Sequence, residues 1–135
     1  MPSRLEPSRV PHLLVFRNAG PEPIQHLTAD EREELTQKWN RWYEELATAG
    51  KVQQGQPLAA NGRVVSGSRG ERVIDGPYAE AKEAIGGYFL LAPMDLDEAT
   101  AIAKMCPSLP YGLTVEVRPV AAVSPTLEGV RGRPV

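Results

Sequence analysis

The chain has 135 residues, 24% of them charged, and a formal net charge of −2 at pH 7. This length suits one compact domain, and the nearly balanced charge excludes the basic surface on which nucleic-acid-binding proteins depend. The single cysteine, Cys106, excludes an internal disulfide and fits a reducing compartment.

The two ends of the chain differ in composition from the middle. Residues 1–10 have no apolar stretch typical of a signal peptide, and no segment approaches the roughly 20 apolar residues of a membrane span. Residues 121–135 mix proline, glycine and arginine. We therefore expect a cytoplasmic protein with a flexible lead-in over residues 1–10, one domain over residues 11–120 and a flexible tail over residues 121–135.

The first predicted elements are a strand at residues 12–16 and a long helix. Thr28 followed three residues later by Glu31 predicts a capping box, and Gly50 favours the end of the helix. The helix has an apolar stripe at Leu35, Trp39, Trp42, Tyr43 and Leu46. Such a stripe is typical of a core face, and any part of it left uncovered could line a pocket against the sheet.

The remaining elements follow from strand alternation, turn residues and caps. They are a strand at residues 52–58, a hairpin of residues 63–66 and 71–74, a strand at 88–92, a helix between Asp95 and Pro107, and a strand at 113–118. This order predicts an α+β domain, a ferredoxin-like β-α-β-β-α-β plait with an inserted β-hairpin, in which two helices cover one face of an antiparallel sheet.

The helix-free face of that sheet is the first candidate surface. Alternation places Glu116 and Arg118 there, and Tyr88 and Leu90 share one face of their own strand. Exposed apolar surface of this kind favours a partner, so we expect a homodimer formed through this face. Glu116 and Arg118 then either form a structural ion pair or line a polar cavity between the two copies.

The second candidate surface is the stretch V-I-D-G-P-Y-A-E-A-K-E-A-I-G-G-Y at residues 73–88, which places carboxylates and a lysine between two strand-like runs. One interpretation is a turn at Asp75 followed by a solvated connection. The other is acid–base chemistry, in which one carboxylate abstracts a proton and another returns it. On this second interpretation the catalytic candidates are Asp75 and Glu80, and the ligand-binding candidates are Lys82, Glu83, Tyr88, Glu116 and Arg118.

The stretch at residues 73–88 resembles the signature of the YCII-related family, also called DGPF-domain proteins. The resemblance extends from Leu13 to Val120 and includes Trp39-x-x-Trp42, Gly55-Gln56-Pro57-Leu58, Cys106-Pro107 and Val115-Glu116-Val117-Arg118. It implies the fold of the dimeric α/β-barrel group, in which two sheets face each other across a twofold axis.

The resemblance does not carry a catalytic pair to this chain. Short YCII-like proteins have a histidine near the start of the first helix and an aspartate in a D-P-Y motif. Here His26 precedes the helix cap, and Cys106 stands in the place of the aspartate. His12, His26 and Cys106 form no ligand cluster, so we expect no metal and no cofactor, and we expect Cys106 to be a buried structural thiol.

Two functions of different class follow from the sequence. The first is a small-molecule enzyme of lyase or elimination type that uses acid–base chemistry in the dimer cavity. The alternative is a non-catalytic module that binds a small ligand or a protein. Members of the YCII-related family resemble domains found beside extracytoplasmic-function sigma factors, and this resemblance implies a regulatory role for such a module.

Overall fold

The fold has two β-sheets and three α-helices in the ranges that the computed structural model describes, which are residues 9–18, 22–76 and 84–132. The helices are α1 (Glu22–Gln25), α2 (Ala29–Thr48) and α3 (Leu96–Ala103), with a 3-10 turn at Leu109–Tyr111. The strands are β1 (Val10–Arg17), β2 (Val52–Pro57), β3 (Arg63–Ser66), β4 (Arg72–Asp75), β5 (Ile85–Met94) and β6 (Thr114–Pro119).

The main sheet has four strands in the order β2-β5-β1-β6, and every neighbouring pair is antiparallel. Strands β3 and β4 form a separate two-stranded hairpin. The architecture is a mixed α+β domain, consistent with the predicted ferredoxin-like plait and its inserted hairpin. None of the helices in the described ranges is long and apolar enough to cross a bilayer.

The predicted helix caps are confirmed. The Thr28 hydroxyl accepts a hydrogen bond from the Glu31 N–H at 3.1 Å, and the Glu31 carboxylate accepts one from the Thr28 N–H at 2.8 Å. These bonds satisfy donors at the helix start that have no partner within the helix. Gly50 follows the C-cap of α2 with a φ of 72°, a conformation that glycine adopts without strain. Asp95 caps α3 by accepting from the Glu98 N–H at 2.7 Å.

Helices α2 and α3 pack on the same face of the main sheet. Leu14 and Phe16 on β1 and Phe89 and Leu91 on β5 point into this layer, as the strand alternation predicts. The buried core cluster consists of Leu14, Phe16, Trp42, Leu46, Val52, Phe89, Leu91, Met94, Ala99, Ile102, Ala103 and Cys106. The opposite face of the sheet has no helix on it in the described part of the chain.

The main departure from the sequence prediction is the start of β5, which begins at Ile85 rather than residue 88. Gly86 lies within the strand at an irregularity, because Phe16 pairs with Gly87 and Arg17 pairs with Ile85. Helix α1 departs from the prediction too, because four residues are too few for a helical period to show. Residues 121–132, predicted as part of a flexible tail, include a β-bridge between Val123 and Arg131.

Gly87 is predicted to resist replacement because the backbone of the neighbouring strand lies close to it. A Cβ at this position would lie 2.8 Å from the backbone oxygen of Gln56, so β2 and β5 would have to separate. We expect Gly87→Ala to cost about 1–3 kcal/mol in the free energy of unfolding, measured by urea denaturation. Gly129→Ala is the control, because a Cβ at that position would meet no atom within 4 Å. Equal losses in the two variants would contradict the prediction.

Candidate functional site

The described residues form a pocket between α2 and one end of the main sheet, which we call the helix–sheet pocket. Its volume is about 870 Å³, which lies within the usual range of small-molecule sites. It is open to solvent on one side. The described residues that line it are Phe16, Asn18, Leu35, Thr36, Trp39, Asn40, Tyr43, Glu44, Gly55, Gln56, Pro57, Gly86, Gly87, Phe89 and Leu113.

Aromatic rings form the floor and walls of this pocket. Phe16 and Phe89 come from the central strands and meet edge to face, with ring centroids 4.9 Å apart. Trp39 meets Phe16 at 5.0 Å, and Tyr43 meets Phe89 at 5.1 Å, again in edge-to-face geometry. Trp39 and Tyr43 are one turn apart on α2, so they project from the helix in nearly the same direction.

Only part of the helical aromatic stripe is used for the core. Trp42 is 7% exposed and packs in the core cluster, whereas Trp39 and Tyr43 are only half-buried. The indole N–H of Trp39 donates a hydrogen bond of 2.8 Å to the hydroxyl of the buried Ser108. This bond fixes the orientation of the Trp39 ring at the edge of the core and leaves the ring available as a pocket wall.

Glycine at position 55 keeps the pocket floor in place. A Cβ on Gly55 would meet the Phe89 ring at 2.5 Å and the Tyr43 ring at 3.0 Å. Any larger residue would therefore displace these two rings, both of which line the pocket. The sequence indicates Gly55 only as an interruption in a weak strand, because its ring contacts depend on how far α2 stands from the sheet.

The stretch at residues 73–88 rejoins the sheet at the mouth of the pocket. The Asn18 N–H donates a hydrogen bond of 2.9 Å to the carbonyl oxygen of Ala84. The Leu58 N–H donates one of 2.9 Å to the carbonyl oxygen of Gly86. Gly86 and Gly87 then line the pocket. The end of the motif is thus tied to the same edge of the sheet as the aromatic pocket.

The polar residues of the helix-free face lie elsewhere. The Glu116 carboxylate accepts hydrogen bonds from Arg118 Nη1 at 3.0 Å and from Arg17 Nε at 3.1 Å. These two hydrogen bonds hold the pKa of the Glu116 carboxyl below its ordinary value, and the bond from Arg118 has the larger effect. Tyr88 Oη donates to the side-chain oxygen of Gln54 at 3.2 Å. The Glu116 carboxylate therefore stays charged at neutral pH and positions two guanidinium groups.

The structure brings together some of the residues predicted for the site. Glu116 and Arg118 form the predicted ion pair. Asp75 ends the exposed hairpin, where its carboxylate lies 3.7 Å from Arg63 Nε and its side chain is 84% exposed. None of Asp75, Tyr88, Glu116 and Arg118 lines the helix–sheet pocket. The predicted candidates Glu80, Lys82 and Glu83 lie outside the described residues.

Comparison with known proteins assigns the family. A family model for the YCII-related domain matches residues 14–123. The chain belongs to the YCII-related domain family. An uncharacterised protein of Rhizobium meliloti (strain 1021), named R00369, is 36% identical to this YCII-related domain over 87 residues, which cover 63% of the chain and 69% of that protein.

The thiol of this YCII-related domain is structural, as predicted. Cys106 is 3% exposed in the core, and burial raises the pKa of its thiol to about 11. A thiol with so high a pKa is a poor nucleophile at neutral pH. Among the described residues, no group of three or more His, Cys, Asp and Glu side chains could hold a metal ion.

The ion-pair cluster predicts an acid-dependent loss of stability. Because the pKa of folded Glu116 is lowered, its charged form contributes stability at neutral pH. That contribution is lost as the pH falls from the ordinary pKa of 4.5 through the lowered pKa of the folded state. We expect Glu116→Gln to be less stable than the wild type at pH 7 and the difference to shrink in acid, measured by urea denaturation. Glu33→Gln, on the exposed surface of α2, is the control. A constant difference across this pH range would argue against the charge contribution.

Proposed function

We propose that this YCII-related domain binds a small organic ligand in the helix–sheet pocket. The observation that carries the proposal is the arrangement of aromatic rings around an open cavity of about 870 Å³. Ligand sites are typically mostly apolar with a few polar groups that fix orientation. Here the rings supply the apolar surface, and the side chains of Thr36, Asn40 and Gln56 supply polar groups.

The partial exposure of the Trp39 and Tyr43 rings supports binding over a purely structural role. A ring that served only the core would be covered as Trp42 is, because covering apolar surface stabilises the fold. Trp39 and Tyr43 instead keep surface open toward the pocket. A ligand that covered this surface would gain the hydrophobic free energy that folding leaves unused.

The charged groups around the pocket favour binding over catalysis. Glu44 is the only ionisable carboxylate among the described residues that line it, and no histidine, lysine or cysteine accompanies it among those residues. Acid–base catalysis ordinarily uses one group as base and another as acid, and the hydroxyl of Tyr43 is the only other titratable group among the described lining residues. We therefore favour a binding module over an enzyme. The regulatory association with a sigma factor is added from the resemblance to related domains.

Filling the pocket from its rim tests the proposal. Thr36 and Gln37 are neighbouring exposed positions on α2, but only Thr36 lines the pocket. We expect Thr36→Phe to weaken binding of a neutral aromatic dye such as N-phenyl-naphthylamine about tenfold, because the new ring occupies the cavity. A tenfold loss of affinity corresponds to about 1.4 kcal/mol of binding free energy. Gln37→Phe is the matched control. Dye fluorescence gives the affinity, and thermal unfolding checks that both variants fold.

Two results would overturn the proposed ligand binding in the helix–sheet pocket. If the dye binds the wild type and both variants with the same affinity, it does not bind in this pocket. If the wild type does not bind it at millimolar concentration, the cavity is not a site for apolar ligands. Either outcome returns Trp39 and Tyr43 to a structural role.

A second candidate is acid–base catalysis in a cavity between two copies of the chain. It is supported by the charged cluster around Glu116 on the helix-free face, where Arg17 and Arg118 both pair with the carboxylate. In this proposal the helix-free face, with Leu90 and Tyr88 half-buried, forms the homodimer. Asp75 and Glu80 act as the acid and base, and Lys82, Glu83, Tyr88, Glu116 and Arg118 bind the substrate.

Asp75→Asn tests this second candidate. Because the Asp75 carboxylate is 84% exposed, its loss should hardly change the midpoint of thermal unfolding. If the wild type is active in an elimination assay, we expect Asp75→Asn to turn over the same substrate at least about a hundredfold more slowly. A loss of this size is typical when an acid–base group is removed. Light scattering should show a dimer at micromolar concentration. A monomeric and active wild type, or an active Asp75→Asn variant, would exclude this mechanism.

A further inference from the structure

The charge of the helix–sheet pocket indicates which class of ligand it accepts. Glu44 is the only charged side chain among the described residues that line the pocket, and it is negative. Glu44 lies on α2 directly after Tyr43, on the rim. A carboxylate at the mouth attracts a cation and repels an anion, over a distance set by the Debye length of about 8–10 Å.

The aromatic surface has the same preference. The face of an aromatic ring carries partial negative charge, so rings attract a cation placed over them. Trp39 and Tyr43 contribute rings from α2 and Phe89 contributes one from the sheet, with centroids 6.3 Å apart for Trp39 and Phe89 and 5.1 Å apart for Tyr43 and Phe89. Since tryptophan and tyrosine are the strongest cation–π partners, the two half-buried walls are of the favourable type.

We propose that the ligand of this pocket carries a positive charge next to an apolar body, as an alkylated or aromatic ammonium compound does. This inference rests on the proposed binding function and adds the ligand class. The ammonium group lies toward Glu44 at the rim, and the apolar part covers the open surface of Trp39 and Tyr43. An ammonium group with several alkyl substituents fits best. Its charge is dispersed and weakly hydrated, so it leaves water more readily than an unsubstituted ammonium group does.

Three compounds of nearly equal shape test the charge preference. Phenyltrimethylammonium is a cation, tert-butylbenzene is its neutral isostere, and benzenesulfonate is an anion of similar size. The chain has two tryptophans, Trp39 and Trp42, and both belong to the aromatic cluster, so indole fluorescence reports binding in the full-length protein. We expect the cation to bind about fivefold more tightly than the neutral compound, and the anion to bind most weakly.

Two neighbouring glutamates separate the effect of the rim carboxylate from that of the overall charge. Glu44→Gln should reduce the preference for the cation over the neutral compound about twofold to threefold. Glu45→Gln removes the same charge from the next position of α2, which does not line the pocket, and should lower the preference clearly less than Glu44→Gln does. Tyr43→Leu keeps an apolar wall but removes the ring, so it should lower cation affinity while tert-butylbenzene still binds.

The outcomes are distinguishable. If the neutral dye and tert-butylbenzene bind but the cation has no advantage, the ligand-class inference is wrong and the proposed binding function stands. The same conclusion follows if Glu44→Gln and Glu45→Gln behave alike. If no dye and none of the three compounds binds, the proposed function itself fails. A preference that falls clearly more in Glu44→Gln than in Glu45→Gln supports the inference.

Discussion

The contact between the aromatic side chains of α2 and the two phenylalanines of the central strands is the interaction on which the structure depends. Trp42 lies 5.0 Å from Phe89 and 6.0 Å from Phe16, measured between ring centroids. This contact holds the long helix on one face of the sheet. It also sets the height of α2 above the sheet, which decides that Trp39 and Tyr43 border an open pocket instead of closing it.

Much of the fold could be predicted, because its signals are local. The Thr28–Glu31 capping box, the Asp95 cap and the alternation of β6 each depend on residues a few positions apart, and the structure bears them out. The start of β5 could not be predicted in the same way. The glycine pair Gly86-Gly87 indicates a β-bulge or a close backbone approach, and both occur. Its position inside β5 depends on β2, which pairs with Gly87 only in the folded chain.

The pocket was harder to predict than the fold. The charged residues at 75–83 are the stronger signal in the sequence, because carboxylate and lysine side chains are common catalytic groups. The pocket is instead lined by aromatic residues, which at helical spacing ordinarily belong to the core. The helical spacing of Trp39 and Tyr43 indicated that aromatic rings could line a pocket against the sheet. It could not show which of the rings stay uncovered. That outcome depends on Gly55, Ser108 and Phe89, which meet these two rings only in the folded chain.

The buried thiol has a practical consequence for studying motion in this domain. Cys106 is the single cysteine of the chain, and its pKa of about 11 keeps it almost fully protonated at neutral pH. A second cysteine introduced on the surface, for example at Gln37, would react with a maleimide far faster than Cys106. The native sequence therefore accepts a spectroscopic label at a chosen position without removal of its own cysteine, so the packing of α3 against β1 stays intact while distances are measured.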